Sequence, residues 1–243
     1  MTPPDERDLS VAEPQSRRAA AVFVGALTAA LAVVGLIALL SGGEGEEPTN
    51  DDDAVAIECT PVADDGGSEE CPTEAVTEPA SVDVETSEGD FTIELDPEDW
   101  PATSTSFRQL VEAGFYDGNG FHRIVPGFVV QGGDPFYSED LENPRVGSGG
   151  AGYSVTEDVP PETTYPAGTV AMAKAADEAS GASSSQFFVV SGQGGQQLTP
   201  DYAIAGRVAE GQEVVDRING LGQPDERPSK PVTIESMTVV PAS

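Results

Sequence analysis

The sequence contains few of the side chains on which most enzyme chemistry depends. Its 243 residues include one histidine, His122, and two cysteines, Cys59 and Cys71. No cysteines are spaced as Cys-x-x-Cys and no cysteine–histidine cluster occurs, which excludes a structural zinc site. Any Ser-His or Cys-His nucleophile would have to use His122. Because histidine and cysteine are so scarce, we expect no metal, and we expect no cofactor.

Basic residues are also scarce. Eleven lysines and arginines stand against 43 aspartates and glutamates, which gives a formal net charge of −32. Binding to nucleic acid requires clustered cations that displace counterions, so we expect no nucleic-acid partner. The same charge disfavours docking on an anionic lipid surface. A solvated acidic surface that keeps the protein soluble accounts for the charge. Selection of cationic partners is the alternative, and no local pattern supports it.

One long apolar run lies near the N-terminus. Residues 19–40 form a stretch of 22 residues without a charge, which as a helix is roughly 33 Å long and spans a hydrocarbon core. We predict an uncleaved transmembrane helix. A cleaved signal peptide is the alternative, although its apolar region usually runs about 7–15 residues. Arg7, Arg17 and Arg18 precede the run. Residues 1–18 are therefore predicted to be cytoplasmic, and the C-terminal bulk to lie outside the cytoplasm, on a single-pass protein of the cell membrane.

Residues 41–80 are acidic, rich in proline and glycine, and poor in large apolar side chains. Such a segment cannot bury enough surface to offset the entropy lost on ordering, so we predict a mostly disordered linker. Both cysteines lie in it. In an oxidising compartment Cys59 and Cys71 are expected to form a disulfide that closes a small loop, with free or intermolecular thiols as the alternatives.

Residues 81–243 are predicted to form one folded domain. Apolar and polar residues alternate over 82–95 on both sides of Ser-Glu-Gly-Asp, which predicts a β-hairpin. Helical spacing follows over 103–114, with Gly114 as its stop. A closing strand over 232–240 loses its alternation between Ile234 and Met237, which indicates a bulge. Further elements are expected as strands at 127–131, 168–173, 186–191 and 202–208 and as a helix at 210–220. Many short strands with two helices favour a β-rich closed sheet with helical caps.

The segment "FHRIVPGFVVQGGD", residues 121–134, closely resembles the signature of the cyclophilins, the peptidyl-prolyl cis/trans isomerases. Later segments are similar to the family in order and spacing: "GSGGAGY" (147–153), "GTVAMAKA" (168–175), "SSQFFV" (184–189) and "LTPDYAIAGRV" (198–208). The resemblance extends over about residues 82–240. It implies a closed eight-stranded antiparallel β-barrel capped by two α-helices, preceded here by the transmembrane helix and the acidic linker.

The resemblance also implies a set of site residues. Arg123 aligns with the family's catalytic arginine. The residues that align with the wall of the proline pocket are Phe128, Val129, Phe188 and Leu198, and Tyr202 stands where many relatives have histidine. Gln131 and Gln186 align with side chains beside the arginine in the same groove. Ala173, Lys174 and Ala175 align with the stretch that pairs with the substrate main chain.

His122 is expected to be structural. It precedes Arg123, and neighbouring residues of a strand point to opposite faces, so both cannot face the groove squarely. The sequence departs from the family pattern at several positions, since it has Gln197 where many relatives have tryptophan, Val129 for methionine and Lys174 for asparagine. None of these changes removes the arginine or the two phenylalanines.

These residues predict a peptidyl-prolyl isomerase that acts on proline-containing polypeptides outside the cytoplasm and functions as a monomer. The alternative is a catalytically silent module of the same fold that binds proline-containing segments of a partner protein. Retention of Arg123, Phe128, Gln131 and Phe188 favours the enzyme. A hydrolase is disfavoured because "GASSSQ" (181–186) lacks a G-x-S-x-G nucleophile turn.

Overall fold

The computed structural model describes residues 55–137 and 141–242. Over these residues the chain is mainly β, as predicted. It has two helices, α1 (Pro101–Glu112) and α2 (Gln212–Asn219), and a short 3₁₀ helix (Gly194–Gln197). In chain order the strands are β1 (Cys59–Pro61), β2 (Ala80–Thr86), β3 (Phe91–Leu95), β4 (Phe121–Val125), β5 (Val129–Gly132), β6 (Tyr153–Thr156), β7 (Thr169–Met172), β8 (Ala182–Ser183), β9 (Phe187–Val190), β10 (Ile204–Glu210) and β11 (Ile234–Pro241).

The hairpin predicted from residues 82–95 is present as β2 and β3, which pair antiparallel. Ala80, Val82 and Val84 of β2 are buried, whereas the residues between them are not. A strand with one face on a core has this period of two. Gly89 in the connecting turn has a φ of +117°, a backbone conformation that costs glycine little because it has no Cβ.

Eight strands form one antiparallel sheet in the spatial order β11-β2-β3-β10-β7-β9-β5-β4. A second sheet has three strands in the order β1-β6-β8. The predicted bulge in the closing strand is confirmed, because the register of β11 against β2 shifts between Ile234 and Ser236. The predicted strands at 127–131, 168–173, 186–191 and 202–208 correspond to β5, β7, β9 and β10.

The prediction of a closed barrel is wrong, because the eight-stranded sheet curls only into a half-barrel. Its edges, β4 and β11, meet near the isolated bridge between Gly120 and Thr233, where the Phe121 N–H donates to the Val232 carbonyl at 3.0 Å. In the described residues no ladder extends from this bridge along β4. Farther along this edge, the Ile124 N–H of β4 donates instead to the Glu226 carbonyl at 2.7 Å.

Both predicted helices are present and pack apolar side chains into the main core: Phe107, Leu110 and Val111 from α1, and Val214, Val215 and Ile218 from α2. Helix α1 ends at Glu112, and Gly114 has a φ of +70°, as expected for a residue that stops a helix. The main core lies between the helices and the inner face of the sheet. At its centre are aromatic rings in edge-on or tilted contact, with centroids 5.4 to 6.2 Å apart: Phe107, Tyr116, Phe121 and Phe187.

Residues 55–80 do not fit the expectation of a disordered linker over 41–80. The predicted disulfide is confirmed, since Cys59 and Cys71 are bonded, with their Cα atoms 6.1 Å apart. Strand β1 pairs with β6, and Ile57 is buried in the main core. The segment is ordered by a cross-link and by backbone hydrogen bonds to the domain, which the low content of apolar residues does not reveal.

The predicted transmembrane helix at residues 19–40 lies outside the described residues, as do residues 1–18 and 41–54. Within residues 55–137 and 141–242, no helix is both long and apolar enough to cross a membrane. The anchor therefore stays a prediction from the sequence.

Replacing Phe107 tests the position of the main core. Its ring is fully buried and lies 5.4 and 5.5 Å from the ring centroids of Tyr116 and Phe187. Phe107→Ala should lower the free energy of unfolding by about 3–5 kcal/mol, because it removes buried area and leaves a cavity. Urea unfolding measures the loss. Val240 is 41% exposed, so Val240→Ala, the control, should cost less than about 1 kcal/mol. Equal small losses for both variants would contradict this core assignment.

Candidate active site

The site lies on the outer face of the sheet, opposite the main core. Strands β5, β7 and β9 divide their side chains by alternation between two apolar clusters, as the period of two requires. The main core takes Val130, Val170, Met172, Phe187 and Val189. The outer cluster takes Val129, Ala171, Phe188 and Val190, together with Tyr165.

The outer cluster has a partly open rim. Ala173, Phe128, Leu198 and Tyr202 are partly buried against it. The Tyr202 ring meets the Phe188 ring edge-on, with centroids 5.4 Å apart. The Tyr165 hydroxyl donates to the Tyr202 carbonyl at 2.8 Å, which holds this loop in place. The structure thus brings together the residues aligned with a proline pocket in one partly exposed apolar cluster, the notch, which includes the rings of Phe128, Phe188 and Tyr202.

A row of polar side chains begins beside the notch. Arg123 on β4 is the register partner of Gln131 on β5, and Gln131 is the register partner of Phe188 on β9. Register partners project from the same face of a sheet. The Arg123 Nη1 donates to the Gln131 Oε1 at 3.2 Å, and the Gln131 Nε2 donates to the Gln186 Oε1 at 3.0 Å. The guanidinium group and the apolar notch therefore share one face.

Sequence reasoning missed two contacts that orient this row. The Arg123 Nε donates to the Glu226 carboxylate at 2.7 Å, in a half-exposed ion pair. At the other end, the Gln186 Nε2 donates to the Gly149 carbonyl at 2.8 Å. Glu226 is 103 residues from its partner and lies in no aligned motif, so no local signal could have found it.

A polar pocket of about 170 Å³ adjoins the row and extends the groove. Its lining comes from four stretches of chain: Gln131, Gly147–Gly149, Ala173–Ala175 with Glu178, and Ser184 with Gln186. The Lys174 side chain, only 5% exposed, pairs with Asp201 at 2.8 Å. The Ala173 N–H donates to the Gln186 carbonyl and the Ala175 N–H to the Glu178 carboxylate. These two N–H groups are therefore already occupied within the protein.

His122 is buried beside Arg123, with 6% of its surface exposed. Burial lowers its pKa, and the Asp134 carboxylate and the Gln186 amide act in the opposite sense without overcoming it. Among the described residues neither ring nitrogen has a hydrogen-bond partner of normal geometry. The neutral imidazole supports the structural role expected for it. The described residues also contain no group of three or more acidic, histidine or cysteine side chains that could hold a metal ion.

Residues 81–239 match the family model described as cyclophilin type peptidyl-prolyl cis-trans isomerase/CLD. The chain belongs to the cyclophilin family. It is 31% identical to peptidyl-prolyl cis-trans isomerase A of Dickeya dadantii over 70% of this chain and 89% of that protein. It is 40% identical to peptidyl-prolyl cis-trans isomerase B of Bacillus subtilis over 49% of this chain and 76% of that one.

The cyclophilin fold is also found among solved structures. A cyclophilin-type isomerase of Cryptosporidium parvum, crystallised in the presence of the dipeptide Ala-Pro, superimposes with a TM-score of 0.56 and 27% identity. The alignment covers 67% of this chain and 99% of that one. Family membership and the names of these relatives support isomerase activity for the cyclophilin domain.

The single histidine makes one pKa directly measurable. We expect the His122 ring proton signal of the untagged protein in an NMR titration to show a midpoint below the ordinary value of about 6.5, because burial disfavours the charged imidazole. In urea the midpoint should return to about 6.5.

The sign of the stability effect follows from linkage. Below pH 6.5 the unfolded chain binds the proton that the folded chain excludes, so His122 should make the protein less stable as the pH falls through that range. The His122→Gln variant should lack this component of the pH dependence. A folded-state midpoint at or above 6.5 would contradict a neutral, buried imidazole.

Proposed function

We propose that the cyclophilin domain accelerates X-Pro isomerisation through Arg123, with the proline ring seated in the notch of Phe128, Val129, Phe188, Leu198 and Tyr202. The barrier to rotation is about 18–20 kcal/mol because the planar amide loses its resonance as it twists. No covalent bond breaks. The reaction therefore needs no nucleophile, only stronger binding of the twisted amide than of the planar one.

Two features of the site would favour the twisted form. As the amide twists it loses charge separation, so an apolar surrounding disfavours the planar form more than the twisted one. The prolyl nitrogen regains a lone pair, to which a fixed donor can hydrogen-bond. A differential stabilisation of about 6–8 kcal/mol corresponds to roughly 10⁴–10⁶ in rate. Desolvation, positioning and one charged donor together can supply such a difference.

The observation that carries the proposal is the orientation of the guanidinium group. Its Nε and Nη1 are bonded to Glu226 and Gln131, and Nη2 has no hydrogen-bond partner among the described residues. An arginine cannot lose its charge at physiological pH and donates through a planar fork. Two anchored nitrogens leave the third as a donor for the prolyl nitrogen or the adjacent carbonyl of a bound peptide.

Arg123→Ala tests this assignment in the full chain. We expect its kcat/KM for a prolyl peptide to fall at least about tenfold, because the variant removes a donor used in the transition state. An X-Pro isomerisation assay measures the change. Arg108 is a suitable control because it pairs with Glu112 on α1, and Arg108→Ala should leave the rate unchanged.

The same assay separates the enzyme from a silent binding module. If the wild-type protein and Arg123→Ala both fail to accelerate isomerisation, yet both bind a prolyl peptide, the binding module is the correct function. If both accelerate it equally, the domain is an isomerase but Arg123 is not its catalyst.

We also propose that the domain acts outside the cytoplasm, anchored by residues 19–40. The uncharged length of that segment and the preceding Arg7, Arg17 and Arg18 support this location. The Cys59–Cys71 disulfide supports it independently, because disulfides persist in oxidising compartments.

Fractionation tests the anchor. We expect the full chain in the membrane fraction, with its C-terminal domain open to protease added outside intact cells. Deletion of residues 19–40 should move the protein to the soluble fraction. Recovery of the full chain in the soluble fraction, or digestion only after lysis, would contradict the anchor or its orientation.

A further inference from the structure

The loop closed by the Cys59–Cys71 disulfide lies before the segment that matches the family model. It spans residues 59–71, the disulfide loop, whereas the family match begins at residue 81. Its first strand, β1, pairs with β6 in the three-stranded sheet. The partner β8 of that sheet leads directly to Ser184 and Gln186 of the groove. The loop is therefore placed next to the active site without being part of the matched domain.

Backbone hydrogen bonds join the disulfide loop to residues 147–152, the glycine-rich wall of the groove. The Val62 N–H donates to the Gly152 carbonyl, and the Glu69 N–H to the Ala151 carbonyl, both at 2.9 Å. In the other direction, the Gly150 N–H donates to the Asp65 carbonyl at 2.9 Å. The wall is thus bonded along three successive residues, Gly150–Gly152.

Asp65 makes the side-chain contacts at this interface. It is only 7% exposed. One carboxylate oxygen accepts the Gly67 N–H at 3.1 Å and the other accepts the Gly152 N–H at 2.9 Å. A buried carboxylate is tolerated only where such donors replace water. The carboxylate therefore clamps the disulfide loop and the groove wall together.

The two segments approach each other closely. A Cβ added to Gly67 would lie 2.3 Å from the Ala151 carbonyl carbon, and one added to Gly150 would lie 2.5 Å from the Asp65 Oδ2. Neither glycine has room for a side chain. The disulfide loop and the wall are therefore packed in direct contact.

The wall in turn supports the polar row. Gly149, adjacent to the bonded residues, accepts a hydrogen bond from Gln186. Gln186 accepts one from Gln131, and Gln131 accepts one from Arg123. Asp65 and Arg123 are thus connected through a continuous series of contacts: the carboxylate, the wall and the two glutamine amides.

We propose that Asp65 is a positioning residue for the active site: within the disulfide loop it holds the 147–152 wall so that Gly149 orients Gln186, Gln131 and the Arg123 guanidinium. This inference rests on the proposed catalytic role of Arg123. It predicts that a residue outside the matched domain controls the rate of isomerisation, whereas the apolar notch keeps its own packing.

The first experiment compares Asp65→Ala with a control in the full chain. Asp64 is the adjacent carboxylate, is exposed and has a left-handed φ of +62° that asparagine also adopts. Asp64→Asn removes the same charge and should retain the wild-type rate. Asp65→Ala should lower kcat/KM about tenfold, because small misplacements of catalytic groups cost that much or more.

A double-mutant cycle separates positioning from a general loss of structure. If Asp65 acts through Gln186, then in a Gln186→Ala background Asp65→Ala should change kcat/KM less than about twofold. A tenfold loss in both backgrounds would overturn the proposal. An unchanged rate for Asp65→Ala in the wild-type background would overturn it as well.

Reduction of the disulfide gives a second test that does not depend on the folding of a variant. Dithiothreitol supplies two electrons and two protons, the S–S bond becomes two thiols, and the reagent becomes its cyclic disulfide. The chain has no other cysteine, so any effect belongs to this bond. We expect reduction to lower the rate of the wild type and to change the Gln186→Ala rate less than about twofold.

An equal rate before and after reduction, with both thiols shown to be free, would overturn the proposed role of the loop. The Arg123→Ala result distinguishes failure of this inference from failure of the proposed function. Loss of activity in Arg123→Ala, with no effect of Asp65→Ala or of reduction, leaves the proposed function intact and removes only this inference.

Discussion

The cross-strand register of β4, β5 and β9 is the constraint on which the site depends. Arg123 is opposite Gln131, and Gln131 is opposite Phe188, so a charged fork and an apolar ring emerge within two strand spacings, about 10 Å. A slip of β5 by one residue would turn Gln131 into the main core and Val130 toward Arg123. Burial of the other face therefore sets the geometry of the active site.

Arg123 must remain available to a bound peptide although the protein's own carboxylates attract its charge. In a chain with a net charge of −32, an exposed guanidinium attracts the protein's own carboxylates, and Glu226 is such a partner. The pair is 38% and 48% exposed at its two side chains, and exposed ion pairs contribute only about 0–1 kcal/mol. Glu226 can therefore orient Arg123 without preventing it from shifting toward a bound peptide.

Much of the fold could be predicted from local patterns. Alternation of apolar and polar residues predicted β2 and β3, and helical spacing predicted α1 and α2. The loss of alternation near Ile234 predicted the bulge in β11. The strands β1, β6 and β8 were not predicted. With three and two residues, β1 and β8 carry too little alternation to detect. Closure of the barrel was predicted wrongly, since it depends on whether two distant edges can form a ladder.

The site residues also differ in whether the sequence could predict them. Residues such as Phe128, Phe188 and Gln131 could be found because they occur in recognisable segments, and the structure places them on one face. Glu226, Gly149 and Asp65 act through contacts between segments far apart in the chain, which no local pattern records. Composition failed for residues 55–80 for a related reason. It measures what a segment can bury by itself, whereas this one is ordered by hydrogen bonds to residues 150–152 and by the disulfide. The wall orders the disulfide loop and the loop restrains the wall, so both effects arise from the same set of contacts.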